Sequence, residues 1–367
     1  MVYLASNNRN SIAPELLNFN AIMASLVSGF SKLSKSEKIN WLVSNHFNDN
    51  KKATEILTMY WNSDEKLQKL HDEFTENTIS NYYLPFSIAP NFLINGKVTT
   101  IPMTIEESSV VAAASKAAKF WQSRGGFTSK VMATEKVGQV HFSFDGDAQK
   151  LINFFENIKA NLIASTDHIT KNMKKRGGGI TAIELRDKTA DLPNYYQLHC
   201  TFETADAMGA NFINSCLEQL AATLVEEAKT YSIFSDKEKN IEIIMSILSN
   251  YVPNCLVEAT VSCTVSELPS TDTLSARAYA EKFVRAVKIA EIEPYRATTH
   301  NKGIMNGIDA VVLATGNDFR AIEAAAHTYA AKTGQYRSLT HAEITTEDIF
   351  KFSIKIPLAL GLSLIHI

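Results

Sequence analysis

Lys136-Val137-Gly138-Gln139-Val140-His141-Phe142-Ser143-Phe144 sets apolar Val140, Phe142 and Phe144 between polar neighbours, the period of a strand buried on one face. From Asp147 to Lys175, Leu151, Phe154, Phe155, Ile158, Leu162 and Ile163 recur at helical spacing. A strand around Ile180 to Arg186 follows. A second runs from Tyr195 to Glu203, with Tyr196, Leu198, Cys200 and Phe202 on one face. A helix from about Asp206 to Thr230 and a last apolar strand from Ile241 to Leu248 complete the series. Strand, helix, strand, strand, helix, strand is the ferredoxin-like split arrangement, βαββαβ.

Outward from this module the chain reads as mainly helical. Helices are expected at Lys35 to Asn45, Ser63 to Glu73, Ser109 to Gln122, Ala276 to Glu291 and Asp318 to Thr333, with strands near Leu93 to Thr104 and Leu256 to Val265. The fold class is therefore α+β. A mainly helical large domain, formed by residues 1–128 and 250–367, carries an inserted ferredoxin-like small domain at 129–249. At 367 residues and 45% hydrophobic content, the chain can bury a core in each.

Composition excludes several function classes. A net charge of -3 argues against a general nucleic-acid surface. No run of about 18 apolar residues is present, and Met1 to Asn20 lacks the basic-then-apolar order of a signal peptide, so a cytoplasmic protein without a membrane partner is expected. Cys200, Cys216, Cys255 and Cys263 have no metal-ligand spacing and read as small apolar core residues. Cys216 falls at core spacing in a helix with no visible base, which speaks against a cysteine nucleophile.

Chemistry concentrates between Arg296 and Asp318. Thr299-His300-Asn301-Lys302-Gly303-Ile304-Met305-Asn306-Gly307 and Thr315-Gly316-Asn317-Asp318 read as two glycine-bracketed turns around the apolar run Ile308 to Ala314. On that reading Lys302 and Asp318 converge at the ends of one element. A cation held by an acid suits the stabilisation of an oxyanion developing on a carbonyl; a surface hairpin with a solvated lysine is the bland alternative. Upstream, Glu76 sits in the polar turn Thr75-Glu76-Asn77-Thr78-Ile79-Ser80 and by itself is an ordinary loop acid. Asn95-Gly96-Lys97 is a hairpin signal.

Taken together, several blocks resemble class II hydroxymethylglutaryl-coenzyme A reductases, the bacterial-type enzymes of mevalonate and isoprenoid metabolism. They are Phe30-Ser31-Lys32-Leu33-Ser34, Glu76-Asn77, Glu106-Glu107 running into Val111-Ala112-Ala113-Ala114-Ser115, and Gly125-Gly126-Phe127-Thr128. Arg176-Gly177-Gly178-Gly179, Asp206-Ala207-Met208-Gly209-Ala210-Asn211, His300 to Asp309 and Ala314 to Asp318 follow in one order. The resemblance implies an oxidoreductase interconverting hydroxymethylglutaryl-CoA with mevalonate and coenzyme A, using two NAD(P)H. It also implies a homodimer with active sites at the subunit interface. Lys302 would stabilise the oxyanion, Glu76 would be the proton donor with its pKa raised by burial and a neighbouring carboxylate, and Asp318 would sit between them. Arg296, alternatively a structural ion-pair partner, would grip the substrate carboxylate with Asn306 beside it; His300 is read as shaping the loop.

The dinucleotide would bind at Asp206, Met208, Gly209 and Asn211, where a strand gives way to a helix and free N–H groups face the turn. An ordinary helix cap by Asp206 is the local alternative. Lys171, Lys174, Lys175 and Arg176 could attract its phosphates or those of coenzyme A. No residue decides between NADH and NADPH.

Two departures stand out. Ser80 takes the place of the glycine that usually ends the family's Glu-Asn motif. The family continues past Ile356 to Gly361 into a glycine-rich segment and a flap carrying a histidine that protonates the coenzyme A thiolate; Leu362-Ser363-Leu364-Ile365-His366-Ile367 does not match it, and His366 lies too early to substitute. The expectation is a reductase without its flap, more able to reduce mevaldehyde than the thioester, the alternative being a non-catalytic remnant.

Overall fold

The structure is a computed structural model that describes residues 26–361; the readings of Met1 to Asn20 and of Leu362 to Ile367, His366 included, lie outside the described residues. The chain forms two compact units that meet in sequence at Leu84 and Pro85.

The first unit is helical. A 3₁₀ turn at Phe30–Lys32 precedes α1, Lys35–His46, which opens with a capping box between Ser34 and Glu37. Helices α2, Lys51–Met59, and α3, Glu65–Asp72, begin at Asn50 and Asp64, whose side chains accept backbone N–H groups. Helix α2 was not expected: its polar lead-in hides a short apolar face. That face joins Ile39, Val43 and Ala53 in a small core with Phe47, Trp61 and Ile79. The segment after Glu76 is tied down here, since Ser80 Oγ donates to the Leu57 carbonyl at 2.6 Å and Trp61 Nε1 to that of Ile79 at 2.9 Å. The serine in place of glycine thus makes its own anchor.

The second unit begins with a hairpin, β1 (Phe86–Ile94) and β2 (Lys97–Thr104). Asn95 and Gly96 at its tip have φ of 49° and 79°, as a tight two-residue turn requires. Helix α4, Ser108–Gln122, follows, then β3, Thr128–Val131.

The ferredoxin-like module comes next: β4 (Lys136–Ser143), α5 (Ala148–Ser165), α6 (Asp167–Lys175), β5 (Gly179–Asp187), β6 (Tyr195–Glu203), α7 (Ala210–Thr230) and β7 (Glu242–Ser249). Its strands pair antiparallel in the order β5-β6-β4-β7, so the first and third strands of the module are central, as the split arrangement demands. Val140, Phe142 and Phe144 meet Leu151, Phe154, Phe155 and Leu162 in one core with Leu217 and Leu220 of α7. Fully burying side chains of this size contributes about 1.5–3 kcal/mol each, which explains why their alternation was so legible.

The remaining chain adds β8 (Leu256–Thr264), α8 (Ala276–Ile292), α9 (Pro294–Ala314), α10 (Phe319–Ala330), β9 (Thr340–Ile344) and β10 (Ile349–Pro357). Strands β3, β8, β10 and β9 form a second antiparallel sheet in that order. Of these only β8 was expected. Because β3 and β8 are neighbours, the chain enters and leaves the ferredoxin-like module side by side.

The largest correction concerns Thr299 to Gly307, which is not a turn. It lies inside the 21-residue α9, which starts at Pro294 with Glu293 accepting the Tyr295 and Arg296 amides. Gly303 and Gly307 keep helical backbone because packing of Ala297, Met305, Ala310 and Val312 outweighs the roughly 1 kcal/mol that a helical glycine costs.

Candidate active site

Helix α9 is locked in rotation by the two residues before Lys302. Asn301 is fully buried; its Nδ2 donates to the Arg337 carbonyl at 2.8 Å and its Oδ1 accepts the Leu339 N–H at 3.0 Å. His300 Nε2 meets Thr340 Oγ1 at 2.7 Å, so it ties α9 to the start of β9 and does not shape a loop. Burial, and then the charge of Arg296, holds the His300 imidazole below its usual pKa. With one side of α9 pinned, Lys302 and Asn306, one helical turn apart, emerge on another.

They meet the N-terminus of α4. Lys302 Nζ lies 3.2 Å from Glu107 Oε2, Asn306 Nδ2 donates to the same oxygen at 3.4 Å, and Ser109 Oγ donates to Glu107 Oε1 at 3.4 Å. Glu107 is the N-cap residue of α4, yet its side chain caps nothing, which leaves first-turn amides without an intrahelical acceptor. Lys302 and Glu107 side chains are 66% and 43% exposed, so their ion pair contributes little to stability and is free to engage a ligand.

Below this pair runs a groove of about 350 Å³ between α4 and α9, walled by Val110, Ala113, Ala114, Ala117, Gly303 and Gly307. An added Cβ at Gly303 or Gly307 would meet nothing within 4 Å, so the glycines keep this face of α9 bare. A cation, an amide, a hydroxyl and a helix N-terminus around one carboxyl can bind an anion, stabilise an oxyanion and pass a proton.

The other expected site residues are distributed differently. Glu76 is an exposed residue of the first unit. The carboxylate hydrogen-bonded to Lys302 is Glu107, whose place just before an apolar helical run was the one signal available in sequence. Asp318 is the N-cap of α10, bonded to the Arg320 and Ala321 amides and to the Arg320 guanidinium, which foremost holds its carboxyl below the usual range. Lys302 and Asp318 do not converge within one chain, because Lys302 precedes the end of α9 by about 18 Å of helix axis. Arg296 is exposed and joins no ion pair among the described residues, which leaves its guanidinium available.

The turn expected to hold the dinucleotide lies between β6 and α7, and the local alternative, a helix cap by Asp206, is not what forms there. Asp206 does not cap α7; the helix starts after Gly209, which has φ 81° and no side-chain cap. A Cβ there would stand 2.5 Å from Thr204 Cγ2, so the turn accepts only glycine without strain. Asp206 pairs instead with Arg176, just past α6, and Thr204 Oγ1 donates to the Ala207 carbonyl at 2.6 Å. Unoccupied N–H groups at the start of a 21-residue helix, a close-approach glycine and a nearby arginine fit a phosphate.

The four cysteines are free and buried. Burial pushes the Cys216 thiol up to about 11 and Cys200 further, which makes neither a nucleophile.

One acid of α9 is half-buried beside a second carboxylate. Asp309, two turns after Lys302 on α9, has a buried Oδ1 with no hydrogen-bond partner; burial, then the neighbouring Glu323, raises its pKa to about 7. The unfolded chain binds this proton only below about pH 4. Stability from the raised pKa is therefore complete below about pH 4 and lost as pH rises toward 7. Asp309→Asn is expected to be more stable than wild type by about 1–2 kcal/mol at pH 8, after discounting for partial exposure, and no more stable near pH 4. Urea unfolding at the two pH values measures this; equal midpoints at pH 8 would remove the claim.

Comparison with known proteins agrees with the resemblance. The family model for hydroxymethylglutaryl-coenzyme A reductase matches residues 36–363. The 3-hydroxy-3-methylglutaryl-coenzyme A reductase of Archaeoglobus fulgidus is 34% identical over 92% of this chain and 72% of its own length. A probable 3-hydroxy-3-methylglutaryl-coenzyme A reductase of Borreliella burgdorferi is 33% identical, over 79% of this chain and 64% of its own length. Among solved structures, the class II reductase from Streptococcus pneumoniae, bound to NADPH in open conformations, superposes with a TM-score of 0.72 at 33% identity, over 92% of this chain and 88% of that one. No helix among the described residues is long and apolar enough to cross a membrane. The chain belongs to the hydroxymethylglutaryl-coenzyme A reductase family.

Proposed function

We propose that this chain interconverts hydroxymethylglutaryl-CoA with mevalonate and coenzyme A, consuming two NAD(P)H in the reductive direction, in the cytoplasm. The observation that carries this reading is the Lys302, Asn306 and Glu107 cluster at the N-terminus of α4. A reduced nicotinamide supplies the hydride. Gly209 and the first amides of α7 would hold the dinucleotide phosphates, with Arg176 drawn from Asp206 toward them and Met208 and Asn211 flanking the turn. Lys302 stabilises the oxyanion as the thioester carbonyl becomes tetrahedral, and again at the aldehyde. Glu107, already bonded to Lys302, takes the proton-donor role that the resemblance gave to Glu76. Arg296 grips the substrate carboxylate, and the small-residue groove admits the chain beside it. An intact cluster of this kind favours a catalytic chain over a remnant.

Residues 1–128 and 250–367 would form the large substrate-binding domain around the small dinucleotide-binding domain at 129–249. The side-by-side β3 and β8 support the insertion. The separation of Lys302 from Asp318 supports a homodimer in which one copy's Asp318 completes the other's Lys302 site. Nicotinamide oxidation on hydroxymethylglutaryl-CoA tests both. Lys302→Met and Asp318→Asn subunits, each nearly inactive, are mixed after partial denaturation and refolding. Recovery to about one quarter of wild-type activity is expected, since half the dimers would hold one intact site. No recovery on verified subunit exchange would place both residues in one chain's site.

A further inference from the structure

Apart from the active-site groove, the second unit has a cleft of about 600 Å³ between the C-terminal ends of α8 and α10 and the β9 and β10 strands. Five lysine and arginine side chains face it against three glutamates. The glutamates are engaged. Glu291 takes both Lys288 Nζ at 2.9 Å and His341 Nδ1 at 2.7 Å, Glu343 lies 4.0 Å from Lys351, and Glu258 lies 3.9 Å from Lys355. Neither Lys332 nor Arg337 has a carboxylate partner among the described residues, so the cleft keeps an excess of positive charge.

Arg337 is held rigidly all the same. Its Nη1 donates to the Glu291 carbonyl at 2.8 Å, its Nε to Thr333 Oγ1 at 3.2 Å, and its Nη2 to Gln335 Oε1 at 3.2 Å. All three acceptors are neutral. A guanidinium has five N–H groups, so one on each terminal nitrogen is left over, in a plane already fixed. Thr333, whose oxygen accepts from Arg337, keeps its own proton to donate. Lys332 stands with its ammonium 3.6 Å over the Tyr329 ring, beside the same opening. A half-buried, oriented, unneutralised arginine with a second cation at hand is built for an anion carrying more than one charge, and its planar fork suits phosphate oxygens.

We propose that this cleft binds a phosphate-rich small anion of the diphosphate class, with Arg337 as the fixed receptor, Lys332 as the mobile cation and Lys355 on the strand beneath. The cleft is separate from the Lys302 groove, though the two adjoin through α9: the carbonyl of Arg337 accepts the Asn301 amide that pins the helix. Ile292 and Leu339 at its wall leave room for an organic group on the phosphate.

Calorimetric titration of the full chain with inorganic diphosphate, and in parallel with ethyl diphosphate, is the test. Arg337→Gln is expected to raise Kd by about tenfold and Lys332→Gln by about threefold, while Lys302→Met and Arg176→Gln leave it unchanged. Lys332 is exposed, so its variant keeps the inference testable if Arg337→Gln fails to fold. Tighter binding of ethyl diphosphate would identify an ester as the ligand, and tighter inorganic diphosphate the free anion. No binding overturns the proposal, as does binding lost in Lys302→Met or Arg176→Gln but kept in the cleft variants.

Discussion

Lys302→Met is expected to lower kcat for nicotinamide-dependent reduction by roughly 10²–10³, with little change in thermal stability. The reason lies in the environment of the side chain. Lys302 is two-thirds exposed and its ion pair is a surface one, so removing it leaves no unpaired buried charge. What it removes is the charged donor bonded to Glu107 beside the α4 and α9 groove, where the proposed mechanism places the developing oxyanion. Methionine preserves length and helix propensity, so α9 should keep its packing. Both half-reactions should suffer, because each develops an oxyanion; measuring hydroxymethylglutaryl-CoA and free mevaldehyde separately checks this. Wild-type turnover of both substrates by the variant would end the assignment.

Glu107→Gln is expected to cost about 10²–10⁴ in kcat, while Glu76→Gln stays within a few-fold of wild type. Glutamine preserves the hydrogen bond from Asn306 but cannot deliver a proton. A structural role for Glu107 alone would survive the swap, so the pH profile is the deciding readout. The wild-type limb that reports the proton donor should vanish in Glu107→Gln and persist in Glu76→Gln. The opposite pattern would return the donor role to Glu76.

The pairing of Glu107 with Lys302 shows where sequence reasoning stopped. Nothing in spacing says that Glu107 faces a lysine some two hundred positions later in the chain. Only the packing of α4 against α9 brings Glu107 to Lys302. Likewise, Asn306-Gly307 has the composition of a turn, yet it is helical because apolar neighbours on α9 bury against β2, α8 and α10. Local propensities of about a kilocalorie yield to that burial. Helix α7 shows the converse: Gly209 was singled out from the sequence, and its φ of 81° and the lack of room for a Cβ beside Thr204 make it a position for glycine, while Asp206 pairs with Arg176.

The sequence by itself determined the ferredoxin-like module, since its central strands and its two long helices bury apolar residues at regular spacing, and such burial writes its period directly into residue order. It also determined the family, through motifs kept in one order along the chain. Tertiary structure alone decided that Glu107 meets Lys302, that Asp318 lies at the far end of α9, and that Arg337 is fixed with no carboxylate partner among the described residues. These are pairings between distant residues, whose energies depend on distance and orientation in space, and no local pattern encodes them.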